Sequence, residues 1–359
     1  MAKLTIKQIA AQAGVSIGTV DRVLHKRGRV SKETEALVLE ICRKNDYAQN
    51  IVGKAMAMQR RARTVAVVVR AQDMNSFAAQ IYEGLRTIEA EIRDYNIVFQ
   101  YRDIVQWTVE EQLEILRSLA QEDLDGLIIY PMDTPAVHQA LDGFAQRGVP
   151  VVLCTADVPA AQKLCFVGQD HYQDSRLMAN VLTKFFRSEP LEILVCTGSM
   201  QISSHRDRID GFLSYLGEWQ GRYRICAVKE TAQDREQIYQ TTLEALMACP
   251  QANALYINTA EPEPCLEALE TYGQFDGIRF CFGHRRKTGP LIRQGKLDFA
   301  IGESPFAQGY RSGEAIFRHL LGYDRSAAEQ FVFHGEILLE ENSWQAPLND
   351  QNFLRGGSK

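Results

Sequence analysis

The sequence predicts an α/β protein: a small all-α head in front of two lobes built on parallel sheets. Three observations carry this reading. Apolar residues recur at helical spacing through residues 6–24. From Thr64 to about Ser343, short β-branched runs alternate with longer amphipathic stretches. Charge is divided between the two parts. Residues 1–63 hold 6 Lys and 7 Arg against 2 Asp and 3 Glu, a net of +8, while the whole chain of 359 residues carries −5. The remainder therefore carries −13 (−5 minus +8). A basic module on an acidic body is the split expected when only one part touches nucleic acid.

In the head, Ile6, Ile9, Ala10 and Ala13 define one face of a first helix, and Val20, Val23 and Leu24 that of a second. Gly14 can take the positive φ that ends a helix, and Ser16 can cap the next. Ile17, Gly18 and Arg22 then point outward, the geometry of a helix-turn-helix whose second helix enters a major groove. A loop, His25–Val30, leads to Ser31 and a third helix with Glu33 and Glu35 in its first turn. Leu37, Val38, Ile41, Cys42 and Asn45 are expected on its inner face. These elements make a DNA-binding domain over residues 1–48. Ile51–Met58 can form a short amphipathic helix before the basic run Gln59–Arg63, so residues 49–63 read as a hinge and linker.

The body, residues 64–343, offers strands at Val65–Val69, Ile97–Tyr101, Leu127–Tyr130, Val149–Cys154, Cys165–Val167, Leu191–Cys196, Tyr223–Val228, Ala254–Asn258, Arg279–Phe282, Leu297–Ile301 and Phe331–Leu338. Helical stretches between them include Phe77–Asp94, Val109–Gln121, Thr134–Arg147, Tyr172–Arg187, Ser204–Leu216 and Arg235–Ala248. Two Rossmann-like lobes of ordinary domain size fit this alternation. The expected division is about 64–160 with 289–323 for the first lobe and about 161–288 with 324–343 for the second, followed by a tail at 344–359. Ligands on such sheets bind at the carboxyl ends of the strands, so two facing lobes would enclose one between them.

Catalytic chemistry finds little support. The eight cysteines form no CxxC pair and no Cys/His cluster at metal-ligand spacing. No Gly-rich phosphate loop follows Val69. Thr197-Gly198-Ser199 follows a strand without a base placed by sequence. The expectation is a protein with no cofactor, no metal and no enzymatic role. Scattered thiols, no signal peptide before Thr5 and no apolar run near the ~20 residues of a membrane helix point to the cytoplasm, without a membrane partner.

The head resembles the lactose-repressor family of transcriptional regulators. The likeness rests on Thr5-Ile6-Lys7-Gln8-Ile9-Ala10, Ala13-Gly14-Val15-Ser16, Thr19-Val20, Arg22-Val23, Val30-Ser31, Tyr47 and Asn50. It implies base or backbone contacts from Ile17, Gly18 and Arg22, and phosphate contacts from Thr5, Ser16 and Thr19. Arg29 in the loop and Asn50 in the hinge join them. Departures are His25 for the usual asparagine, Asp21 for serine, Gln49 for proline and Gly53 for alanine. Met56 stands where a leucine wedges into the minor groove, and a flexible apolar side chain can serve that purpose.

The body resembles the type I periplasmic sugar-binding fold. Asn75-Ser76-Phe77 matches an element in which the aromatic stacks on a sugar and the Asn binds a hydroxyl. Asp133 closes the third-strand motif, and Asp157 is a plausible hydroxyl acceptor. Arg208-Ile209-Asp210-Gly211-Phe212 matches Arg-x-x-Gly-Phe, whose Arg forks two ligand oxygens. Asn258 ends a strand of the second lobe. Glu303 replaces a ligand-binding Gln ahead of Pro305 and Gln308-Gly309-Tyr310. His284-Arg285-Arg286-Lys287, with Arg206 and Arg208, would present cations to the cleft, implying an acidic or phosphorylated sugar effector. Against this stand pairing of Arg285 with Glu303 or Asp157, and solvent exposure of Arg286 and Lys287.

Together these imply a homodimer on a pseudopalindromic double-stranded operator. It would repress a carbohydrate uptake or catabolism operon in response to a sugar-like small molecule. A solute-binding protein without a DNA role, or a sugar- or nucleotide-metabolising enzyme, are the alternatives. Gly53 costs about 1 kcal/mol of helix propensity relative to Ala, so the hinge helix is expected to order only on DNA. Hydrogen exchange across Ile51–Met58 should show protection appearing with operator present, and equal protection in both states would refute this.

Overall fold

A computed structural model describes residues 6–24, 30–44, 61–71, 75–158, 161–186, 189–231, 234–322 and 331–344. Thr5, Arg29, Asn50 and Met56 lie outside these residues, as does the expected hinge helix.

The head is three helices, α1 (Ile6–Ala13), α2 (Ile17–Leu24) and α3 (Lys32–Lys44). Ile9, Ala10, Val20, Val23 and Val38 form its buried centre, with Val15, Val30, Ile41 and Cys42 packed around it. Gly14 adopts φ +65°, as the turn requires. Ser16 Oγ accepts from the Thr19 amide at 3.0 Å and so caps α2. Ser31 does the same for α3 through the Thr34 amide at 3.2 Å. Leu37, expected inside, is exposed; the inward stripe of α3 runs through Val38, Ile41 and Cys42 instead.

In the body the elements alternate from β1 (Arg63–Arg70) and α4 (Ser76–Glu91) through β2 (Ile97–Ile104), α5 (Val109–Leu119), β3 (Gly126–Ile129), α6 (Pro135–Gln146), β4 (Val151–Thr155) and β5 (Cys165–Gln169). Then follow α7 (His171–Thr183), β6 (Leu191–Thr197), α8 (Ser203–Glu218), β7 (Tyr223–Glu230), α9 (Arg235–Ala248), β8 (Ala254–Asn258), α10 (Glu263–Tyr272), β9 (Ile278–His284), α11 (Arg285–Arg293) and β10 (Phe299–Glu303). The last elements are α12 (Pro305–Leu320), β11 (Phe331–Phe333) and β12 (Glu336–Leu338). One sheet has the order β11-β5-β4-β3-β1-β2, the other β12-β10-β9-β8-β6-β7. All described pairings are parallel except that of β12 with β10. Each sheet is apolar on both faces, as a sheet covered by helices must be.

The lobe division differs from the one expected. β5 pairs with β4 in the first sheet, so the chain enters the second lobe only after Gln169. β10 pairs with β9 in the second sheet, so 289–303 belong there and not with the first lobe. The single strand expected over Phe331–Leu338 is two, β11 in the first sheet and β12 in the second. The chain thus passes between lobes three times, after β5, after β10 and between β11 and β12. Strands of like composition carry no local mark of the sheet they join, because pairing decides it. The third passage needs a glycine: a Cβ on Gly335 would lie 2.3 Å from Ile301. Its amide donates to Asp174 at 2.8 Å.

After the second passage, α12 returns to the first lobe and packs on α4 at backbone distance. A Cβ on Gly84 would sit 2.1 Å from the Phe306 carbonyl oxygen, and one on Gly309 2.2 Å from that of Ile81. Gly84→Ala should therefore destabilise the first lobe by about 1–3 kcal/mol, from helix displacement, as read by urea unfolding. An unchanged midpoint would show that the helices yield freely.

Candidate functional site

A cavity opens between the lobes at the carboxyl ends of β1, β6 and β8. Arg70, Asn75, Phe77, Trp107 and Tyr130 line it from the first lobe. His205, Thr231, Thr259 and Glu261 line it from the second. Ile81, Ile202 and Ile238 supply apolar surface. Ring faces beside a few polar groups suit a small polyhydroxylated ligand.

Trp107 is the most constrained member of this wall. It holds φ +56°, a left-handed conformation rare for an aromatic residue. The Glu111 carboxylate enforces it by accepting from the amides of Val105, Gln106 and Trp107 at 2.9, 2.8 and 3.0 Å. Glu111 is itself fixed by the Thr108 cap of α5, whose Oγ1 accepts from the Glu111 amide at 3.2 Å. The indole packs edge-to-face with Tyr130, centroids 4.8 Å apart, and the Arg70 guanidinium lies 5.5 Å over it. Its Nε1–H has no hydrogen-bond partner among the described residues.

Of the effector residues expected from sequence, Asn75 and Phe77 line the cavity. The others do not line it and are engaged elsewhere. Arg208 is buried, with Nη2 on the Glu303 carboxylate, Nε 3.2 Å from His171 Nδ1, Nη1 3.4 Å from Asn258 Oδ1 and its plane 4.2 Å from the Phe282 ring centroid. Asn258 also donates to Thr197 Oγ1 at 2.9 Å. Asp133 pairs with Arg206 across the lobes and with His138 at 2.6 Å. Asp157 pairs with Lys163, and its carbonyl accepts from Ser203 at 2.8 Å.

Arg285 contacts neither Glu303 nor Asp157. It is bound to Glu336 and the Asn342 carbonyl, fastening α11 to the chain after β12. Arg286 reaches Glu83 of the first lobe at 2.9 Å, and Lys287 holds Glu261 and Glu263 at 2.5 and 2.7 Å. Each arginine and lysine expected to face a ligand has an acid beside it. Sequence shows the cations but not their partners, which lie far away along the chain. Arg70, Trp107, Tyr130, Thr231, Thr259 and Glu261 were missed. The Thr108-x-x-Glu111 capping pattern was the one local signal for the Trp107 loop.

Two bridges flank the cavity: Arg206 with Asp133 on one side, and His284 Nε2 with Ser76 Oγ at 2.9 Å on the other. The histidines of this region are held neutral. Burial, reinforced by the Arg208 charge, lowers His205 to about 3 and His171 well below its usual range. Burial and the neighbouring Lys287 and Arg286 lower His284 to about 4. Burial raises Asp174 and Asp207 to about 6.

In the head, Ile17, Gly18 and Arg22 are exposed along α2, Ile17 at 52%. Ser16 and Thr19 stand at its start, hydroxyls 2.9 Å apart. A row of one apolar, one small and one cationic residue is suited to the edge of a nucleic-acid groove.

Residues 65–324 match the family model described as a periplasmic binding protein domain. The chain belongs to that family. Residues 5–50 match the model for bacterial regulatory proteins, lacI family. Among curated relatives, the HTH-type transcriptional regulator RegA of Clostridium acetobutylicum is 31% identical over 150 residues, 42% of each chain. The ribose operon repressor of Bacillus subtilis is 24% identical over 221 residues, 62% of this chain and 63% of that one. These alignments span only about two-fifths to three-fifths of the relatives' length. Both are named as regulators, not as enzymes. Among solved structures, a glucose-galactose binding protein from Geobacillus stearothermophilus superposes with TM-score 0.71 at 19% identity, covering 79% of this chain and 99% of that one. A solute-binding protein from Bacillus halodurans with bound myo-inositol gives 0.69 at 18%, covering 78% and 96%. At these identities the likeness is one of fold.

A histidine whose folded value is about 3 refuses a proton that the unfolded chain accepts below 6.5. Its contribution to stability is complete above pH 6.5 and is lost as pH falls toward 3. Asp174 and Asp207, protonated more readily when folded, act in the opposite sense below about 6. Replacing His205 with Asn should therefore flatten the loss of stability between pH 6.5 and 5 by about 1 kcal/mol per pH unit. Denaturant unfolding across that range is the measurement, and parallel profiles for the two proteins would contradict it.

Proposed function

We propose that the chain is a cytoplasmic, dimeric, ligand-responsive regulator that represses a carbohydrate uptake or catabolism operon. Its two heads bind a pseudopalindromic double-stranded operator, and a sugar-class effector in the interlobe cavity sets the affinity for DNA. The observation that carries this is the union, in one chain, of an exposed groove-reading helix on a lacI-family head with a two-lobed body that encloses an aromatic-walled cavity. Relatives named for ribose and sucrose operons support a carbohydrate role. A free-standing solute-binding protein would have no use for α2, and the cavity residues assemble no nucleophile with its base.

On this reading α2 supplies the sequence-reading contacts, Ile17 meeting a base edge by apolar contact and Arg22 a base or phosphate. Ser16 and Thr19 position the helix against the backbone, and Thr5, Arg29, Asn50 and Met56 complete the interface. Coupling between effector and operator of ordinary size, about 1–3 kcal/mol, shifts DNA affinity roughly 5- to 150-fold. Anisotropy titrations of promoter DNA from the genes neighbouring this one test the reading. Binding should weaken steeply with salt, and Arg22→Ala should cost about tenfold or more. Salt-independent binding, or an Arg22→Ala protein indistinguishable from the parent, would overturn it.

A further inference from the structure

The three passages between the lobes meet at one buried side chain. Asp174 stands in the first turn of α7 and is 3% exposed. Its Oδ1 accepts from the Gly335 amide at 2.8 Å, in the passage from β11 to β12. Its Oδ2 accepts from Gln169 Nε2 at 3.1 Å, at the end of β5 where the first passage begins. The same Nε2 donates to the Gly302 carbonyl at 3.3 Å, in β10 just ahead of the second passage. Gln169 closes a strand of the first sheet and Gly302 lies in the second, so this amide spans the two lobes. The Asp170 amide also donates to the Phe333 carbonyl at 3.2 Å, joining the first passage to the third. There is little slack: a Cβ on Gly335 would lie 2.9 Å from the Asp174 carboxyl carbon.

Both carboxylate oxygens face an N–H. A proton on either one would point at a donor and break a bond, so the arrangement requires the ionised form. Gln169 cannot compensate by turning its amide over, because Oε1 would then face the Gly302 carbonyl. Burial raises Asp174 to about 6. The Gly335 amide, Arg208 of α8 and His334 of the third passage pull it down, and Asp170 at the start of α7 pushes it up. Arg208 is itself bound to Glu303 and lies against His171.

We propose that Asp174 is the positioning residue of the interlobe hinge. Ionised, it pins the three passages through Gly335 and Gln169 and so sets the angle between the lobes. Protonated, it releases them and lets that angle vary. The device belongs to the body alone and does not depend on which ligand the cavity takes.

Hydrogen exchange of the full chain, read by mass spectrometry over residues 165–175, 299–305 and 331–338 and corrected for intrinsic rates, tests this at pH 7.5 and pH 5. In the parent, all three segments should exchange about tenfold faster at the lower pH, the loss of about one hydrogen bond, while α9 is unchanged. Asp174→Asn keeps the shape but turns a donor toward a donor. It should show the faster exchange already at pH 7.5 and no further rise at pH 5. Gln169→Met, which keeps the length and removes the amide, should loosen the first two segments at pH 7.5 and leave 331–338 protected. Equal protection of the parent at both pH values overturns the proposal. So does a pH response that persists in Asp174→Asn, which would assign it to another group such as Asp207 or His334. Faster exchange spread evenly over the whole body of Asp174→Asn would reduce the residue to a structural role and overturn it as well.

Discussion

The Arg208 guanidinium is buried in the second lobe and its charge is returned by Glu303, whose side chain is only 6% exposed. Much of the chemistry at the lobe junction follows from this pair. It ties α8 to the end of β10, where the chain leaves for the first lobe, and draws in His171 of α7 and Asn258 of β8. A desolvated pair of this kind contributes little net stability, yet losing one member strands the other at a cost of about 3–5 kcal/mol. It therefore works as a fixture. Burial pushes the Glu303 carboxyl upward in pKa, against the pull of Arg208. Burial, with the same cation adding to it, depresses His171 and His205 and holds both rings neutral.

That fixture also changes how the site can work. Resemblance to sugar-binding proteins makes the equivalent of Arg208 a fork for ligand oxygens. Here the fork is closed by the protein's own carboxylate, which stands where the family has a neutral Gln. The cavity is lined instead from the neighbouring strand ends, where Arg70 closes β1 and Trp107 follows β2. A Gln at 303 could share Arg208 with a ligand, whereas a Glu holds it.

What could be read from sequence follows distance along the chain. The helix-turn-helix was legible because its determinants are local: Gly14 for the turn, Ser16 for the cap, and a 3.6-residue period in Ile9, Val20 and Val23. The strands were legible for the same reason, as short β-branched runs between turns. Their distribution between sheets was not, since β5, β10 and β11 differ from their neighbours only in which strand they pair with. The site was least legible. Arg206 meets Asp133 across 73 residues and Arg208 meets Glu303 across 95, so a count of cations could not reveal their compensation. Asn75 and Phe77 were found because their motif is contiguous with the helix it caps.

The route from the cavity to the chain that leads toward the head is short. β1 runs from the linker at Arg63 to the cavity wall at Arg70, eight residues or roughly 25 Å of extended chain. Its outer end is clamped: Arg61 holds Asp123 at 2.8 Å and Arg63 holds Asp125 at 3.2 Å. A buried strand cannot stretch or bend by much within a close-packed sheet. On the proposed function, a ligand in the cavity would therefore reach the linker through movement of the whole first lobe against the second. The three interlobe passages and contacts such as Arg206–Asp133, His284–Ser76 and Arg286–Glu83 join the lobes. In the proposed dimer, two first lobes that turned in this way would change the separation at which the chain leaves the body toward the two heads. Because operator half-sites are fixed at one helical turn or a multiple of it, a small change in that separation is enough to weigh one DNA-binding state against the other.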